Sequence, residues 1–137
     1  MIRDITPDDI PWVMSLGGRR YPAGYDPGGA LQALVAAMRI KSAIAWRTDH
    51  AFLVANIVNT LWYPQRPQCE VLAICVEEAH HWDAVCLLRA SAKWAREEGC
   101  ARWIVASDTK HSIEAMAKRI GAEPMPRWGI NLREPAK

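Results

Sequence analysis

Residues 69–76 (Cys69-Glu70-Val71-Leu72-Ala73-Ile74-Cys75-Val76) are apolar almost without interruption, and this run constrains the fold more than any other feature of the chain. A strand with one charged side chain has no face to give to water, so it must be central and covered on both sides. The clearest helix follows it. Over residues 83–98, Val85, Leu88, Ala92 and Ala95 form one apolar stripe with Leu87 and Trp94 beside it, and Arg89, Lys93, Arg96 and Glu97 form the wet face. Asp83 reads as the N-cap and Gly99 as the C-terminal stop.

The remaining elements arrange themselves around this pair. Residues 2–6 read as a first strand. Thr6-Pro7-Asp8-Asp9 starts a helix: a capping residue, a proline at the first helical position and two carboxylates in the positive first turn. Ile10, Val13 and Met14 give its buried face, and Gly17-Gly18 is expected to end it. Asp26-Pro27 repeats the start signal for a helix carrying Leu31, Leu34, Val35 and Met38. Residues 42–47 and 51–58 read as an antiparallel hairpin about Thr48-Asp49-His50. Residues 61–68, with Pro64 and Pro67, read as a loop. Residues 102–106 form the next strand. Ile113, Met116, Ala117 and Ile120 mark a helix ending at Gly121, and residues 128–132 a last strand.

The 137 residues suit one domain spanning 1–137, and half of them are apolar, enough for a packed core. A net charge of +2 offers no electrostatic case for nucleic acid or an anionic membrane. No apolar stretch is long enough for a membrane span, and Met1-Ile2-Arg3-Asp4 carries no signal region, so a cytoplasmic location is expected. Cys69, Cys75, Cys86 and Cys100 have no zinc-site spacing and read as small buried hydrophobes. His80-His81 reads as a polar loop pair, because adjacent side chains diverge and no Asp, Glu or Cys set completes a metal site. No metal is expected. His50 reads as an exposed turn residue, and His111 as a surface residue near the last helix. Seven tryptophans are many for this length. Trp12, Trp46, Trp62, Trp82 and Trp128 need not all fit one core, and any left exposed would suit a protein partner or self-association.

The order β-α-α-β-β-β-α-β-α-β, a mixed central sheet of about six strands with four helices, resembles the α/β (α+β) fold of the Gcn5-related N-acetyltransferases (GNAT). Residues 69–76 look like that family's fourth strand, Trp94-Ala95-Arg96-Glu97-Glu98-Gly99-Cys100 like the end of its next helix, and Arg119-Ile120-Gly121-Ala122 like its turn after the last helix. The resemblance implies acetyl-CoA bound where the fourth and fifth strands part. The backbone of Ile74, Cys75 and Val76 would meet the pantetheine arm like an added strand. The pyrophosphate would rest on the first helical turn, at His81, Trp82, Asp83, Ala84 and Val85. The family's phosphate loop has the pattern Arg/Gln-x-x-Gly-x-Gly/Ala. Here His81 takes the basic position, Ala84 and Cys86 fall near the glycine positions, and no glycine occurs. Trp82 and Asp83 bring bulk and negative charge where a phosphate needs space and donors. The family's tyrosine, which protonates the leaving thiolate, corresponds by spacing to Ala117, and its helix-initial asparagine to the vicinity of Lys110.

Glu70 is the candidate general base, with a solvated strand-end residue as the plain alternative. The chain also resembles short GNAT-like proteins of tailed bacteriophages, through Trp62-Tyr63-Pro64-Gln65-Arg66-Pro67, the glycine-free loop with Trp82, and Ser107-Asp108-Thr109. That comparison implies a host-cytoplasm or virion location. Two functions stay open from the sequence, beside a small-molecule sensor using the strand cleft, which no residue selects. One is an acetyltransferase-like protein moving an acetyl group from acetyl-CoA to an amine acceptor. The other is a catalytically inactive GNAT scaffold with a binding or structural role.

Overall fold

In the computed structural model, residues 1–20, 26–59, 67–105 and 112–124 are described. They form a five-stranded sheet in the order β1-β2-β3-β4-β5, with all neighbours antiparallel except the parallel pair β4 and β5. The strands are β1 (Arg3–Asp4), β2 (Ala43–Arg47), β3 (Ala51–Val58), β4 (Gln68–Val76) and β5 (Arg102–Val105). The helices are α1 (Ile10–Arg20), α2 (Pro27–Arg39), α3 (His81–Glu97) and α4 (Ser112–Arg119), with a 3-10 turn over Pro7–Asp9 leading into α1. The expected last strand at 128–132 lies outside the described residues. No helix of the described residues is long and apolar enough to cross a membrane.

Period-two alternation divides the sheet's side chains between two cores. On one face, Leu53, Val71, Ile74 and Val76 pack with Val85, Leu87 and Leu88 of α3 and Met116 of α4. On the other, Phe52, Val54 and Cys75 pack with Val13 and Leu16 of α1 and Leu34 of α2. This double cover explains why β4 is apolar throughout. Cys69 and Cys75 are buried, as expected, and all four cysteines are free thiols. Burial pushes the Cys69 and Cys75 thiols up to about 12, so neither is a thiolate nucleophile at neutral pH.

Two expected helix boundaries are corrected. Gly17-Gly18 does not end α1, which runs on to Arg20. Glycine inside a helix costs about 1 kcal/mol, less than Val13 and Leu16 gain by burial on the sheet. Arg19 and Arg20 also suit the negative end of the helix. Asp83 is not the N-cap of α3. The helix begins at His81 with His80 as its cap, and the Asp83 carboxylate instead accepts a 2.7 Å hydrogen bond from Thr48 Oγ1 in the β2–β3 turn. The same hydroxyl accepts from the N–H groups of His50 and Ala51, so one buried threonine ties the turn to itself and to α3.

The predicted helix stops at Gly99 and Gly121 are present. Both adopt positive φ, 83° and 82°. At each, the glycine's own N–H and the next one close back on the helix: Gly99 to Arg96 and Cys100 to Ala95, Gly121 to Lys118 and Ala122 to Ala117. Ser91, fully buried, accepts from Trp103 Nε1 at 3.0 Å and fastens α3 to β5.

Candidate functional site

The sheet opens along β4. Strand β5 pairs with it only from Gln68 to Val71. One residue further, β4 carries a bulge: Val71 lies opposite Ala55 and Ala73 opposite Val54, leaving Leu72 unpaired and 55% exposed. Beyond the bulge, β4 stays paired with β3, but no strand flanks its other side among the described residues. Alternate residues of 72–76 therefore turn N–H and C=O groups toward an edge about 13 Å long that no described strand covers. The side chains of Ile74, Cys75 and Val76 are buried in the two cores, so at these residues the edge presents its backbone.

The open edge leads to the N-terminus of α3. His80 N–H bonds Glu77 O at 3.2 Å and Asp83 N–H bonds His80 O at 3.0 Å. The N–H groups of His81 and Trp82, both exposed residues, have no partner among the described residues. These two N–H groups lie at the positive end of a 17-residue helix, where negative charge is favoured. The side chains expected to crowd this position are engaged with other groups. Asp83 bonds Thr48, and the Trp82 ring lies under the Arg89 guanidinium, 5.2 Å from its centroid. Ala84 and Val85, expected beside the pyrophosphate, have their side chains fully buried against the sheet. Their side chains cannot reach a ligand, because the helix turns that face to the core.

The glycine-free loop contains one residue in a glycine conformation. Ala79 has φ of 67°, and it makes the turn from β4 into α3. The expected glycine positions lay further on, so sequence reading missed it. The left-handed conformation costs an alanine about 1–2 kcal/mol, and glycine's extra unfolded freedom returns about 0.5–1 kcal/mol of any relief. Ala79→Gly should therefore stabilise the chain by about 0.5–1 kcal/mol, raising the thermal midpoint by roughly 2–4 °C. An unchanged or lower midpoint in calorimetry would mean the turn is unstrained.

Glu70 sits just before the strands part, opposite Asn56 of β3 and Ile104 of β5. Its neighbours Cys69 and Val71 belong to the α3 core, so Glu70 projects from the opposite face, the one α1 and α2 cover further along β4. Gln68 Nε2 donates to Glu70 Oε1 at 2.8 Å, and Oε2 has no partner among the described residues. Beside it, Asn56 Oδ1 is buried without a hydrogen bond. A half-exposed carboxylate beside an unsatisfied amide oxygen is a place where a cationic donor group would be accepted.

Around the other end of β4 the structure joins residues that sequence reading kept apart. Glu77 Oε1 accepts from Trp12 Nε1 at 2.9 Å, and Oε2 lies 3.1 Å from His50 Nδ1. These contacts, the indole N–H first, hold the Glu77 carboxyl below the usual carboxylate range. His50 is not a plain exposed turn residue: its ring stacks on His80 at 3.5 Å. His81, its sequence neighbour, is exposed.

Comparison with known proteins finds no matching family profile and no matching curated protein. Solved structures do match, over essentially whole chains. An aminoglycoside 6'-N-acetyltransferase from Acinetobacter haemolyticus aligns with a TM-score of 0.74 at 18% identity, over 99% of this chain and 99% of its own. The aminoglycoside N-acetyltransferase AAC(6')-Iy in complex with CoA gives 0.76 at 17%, over 99% and 95%. A transcriptional regulator from Bacillus halodurans gives 0.79 at 13%, over 98% and 99%. The fold is that of the GNAT acetyltransferases. The tyrosine position, Ala117, lies on α4, while Lys110 and His111 lie outside the described residues. So do Trp62 and Ser107-Asp108-Thr109, which carried the phage resemblance.

The expected surplus of exposed tryptophan is reduced. Trp12 packs edge-on against Phe52, and Trp46 against Trp94. Among the described residues Trp82 is the exposed one, and Trp128 lies outside them.

Proposed function

We propose that the chain is an acyl-CoA-dependent N-acetyltransferase acting on an amine. The observation that carries this reading is the open half of β4 running into two free N–H groups at the start of α3. That arrangement accepts a long, thin ligand with an extended amide-bearing arm and an anionic head, which is the form of CoA. The coenzyme would supply a thioester-activated acetyl group. Backbone N–H groups near Ile74 to Val76 would bond the arm and polarise the carbonyl, and the N–H groups of His81 and Trp82 would take the pyrophosphate. The exposed His81 side chain would add a hydrogen-bond donor.

Glu70, on the far side of the cleft from the anion site, would take a proton from the amine as its nitrogen bonds the acyl carbon and the carbon–sulfur bond breaks. With Ala117 at the tyrosine position, the departing thiolate would be protonated from solvent. The neighbouring structures of AAC(6')-Iy with CoA and with a bisubstrate analogue support a coenzyme of this class on this fold. They do not select the acceptor.

The test is thermal unfolding with and without acetyl-CoA. At about 100 times its Kd the ligand should stabilise the chain by roughly 2.7 kcal/mol, which for this length raises the midpoint by about 9 °C. No shift at millimolar acetyl-CoA would refute the reading.

A further inference from the structure

Three donor side chains converge beside the β4–α3 turn, each from a different segment: His50 from the β2–β3 turn, Glu77 from the end of β4, and His80 from the cap of α3. We propose that His50, Glu77 and His80 form a binding site for a divalent first-row transition metal, with zinc as its type. One ligand atom from each lies within 4.8 Å of the others. Around a tetrahedral ion with bonds of about 2.0–2.2 Å, donor atoms stand about 3.3–3.5 Å apart, so no side of the triangle needs to contract by more than about 1.5 Å. His50 Nδ1 and Glu77 Oε2 are already at 3.1 Å.

The backbone holds the three segments together. Glu77 N–H donates to His50 O at 2.8 Å, and His80 N–H to Glu77 O at 3.2 Å. The imidazole rings must move. Stacked 9° from parallel, they direct their lone pairs side by side, and metal binding requires them to swing apart about Cβ–Cγ. The His50 and Glu77 side chains are 39% and 32% exposed, so an ion can enter and the His50 ring has room to turn.

The surrounding residues suit this role. Trp12 Nε1 holds Glu77 Oε1 and leaves Oε2 facing His50, the kind of outer hydrogen bond that orients a ligating carboxylate. Trp12 is itself held by the Arg47 guanidinium, 3.7 Å from its ring centroid. Two imidazoles and one carboxylate favour zinc and its neighbours over magnesium or calcium, which prefer oxygen donors. Three protein ligands leave a fourth position for water. A bound ion would clamp the β2–β3 turn and the end of β4 to the start of α3. The proposal does not depend on the acetyltransferase reading.

The experiment is a calorimetric titration of the chelator-treated full chain with Zn²⁺, with Mg²⁺ as control. One saturable zinc site is expected, together with a higher melting temperature that EDTA reverses. His50→Ala and His80→Ala should each weaken binding by about tenfold or more, Trp12→Phe by about tenfold, and His81→Ala by less than about twofold. Melting in EDTA checks that each variant folds, and Glu77→Gln serves if one does not. The proposal is overturned if the folded wild type shows no saturable zinc binding. It is also overturned if affinity survives both His50→Ala and His80→Ala, or if only His81→Ala removes it.

Discussion

Replacing Asp9 with asparagine should lower the stability of the chain by about 3–5 kcal/mol, the range for removing one partner of a buried ion pair. Asp9 is only 7% exposed at the mouth of α1. Its two oxygens accept from Arg3 at 2.7 and 2.8 Å and from Arg47 at 2.8 Å, and Oδ2 also accepts from the Thr6 N–H and hydroxyl. The Arg3 side chain is half exposed and regains water when the carboxylate is lost, but the Arg47 side chain, 12% exposed, does not. The loss should appear as a midpoint lower by about 10–17 °C for a chain of this length.

The Asp9 carboxyl is held far below its usual range, first by the Arg3 hydrogen bonds and then by those from Thr6, with burial opposing them. A depressed folded pKa gives stability that is complete above the unfolded value, about 3.9, and is lost as pH falls below it. Urea midpoints of wild type and Asp9→Asn should therefore stay parallel from pH 7 to about 5 and converge below about pH 4. Removing both charges with Asp9→Asn and Arg47→Met should recover part of the loss, since an apolar pair avoids the unpaired buried cation. A cost under about 1 kcal/mol for Asp9→Asn would mean the network behaves as a surface ion pair.

Glu70→Gln should lower the acetylation rate with a reactive amine by about 10²–10⁴-fold, the usual contribution of a positioned general base. The substitution keeps the side-chain shape and removes only proton-accepting power. The stabilisation by acetyl-CoA should persist, because Glu70 lies at the opposite end of the open edge from His81 and Trp82. The rate deficit should narrow as pH climbs toward the amine's own pKa, about 10.4 for a lysine-like acceptor, where the nucleophile no longer needs a base. An unchanged rate at neutral pH would remove Glu70 from the mechanism. A loss of coenzyme stabilisation would make its role structural.

Most of what the sequence carried was local. The apolar run of β4, the stripe of α3 and the glycine stops at Gly99 and Gly121 follow from periodicity and backbone sterics, which neighbours in sequence determine. Hence the order of elements was legible, and with it the resemblance to the GNAT fold. The end of α1 was misread for the complementary reason: the local penalty of Gly17-Gly18 is smaller than the burial the sheet provides.

The site's decisive features come from strand pairing. The bulge that leaves Leu72 unpaired exists only against β3, and the edge of β4 that no described strand covers begins only where β5 stops pairing. The same register sets Ala51 opposite Val76, and so brings His50 beside Glu77 and into contact with His80. Sequence spacing offered the adjacent pair His80-His81 instead, whose side chains take different directions from a helix start. Asp9 reads along the chain as one more acid in a first helical turn. Only the packing of β1 and β2 over that turn buries it and surrounds it with two arginines, because burial and charge pairing are properties of groups distant in sequence that folding brings together.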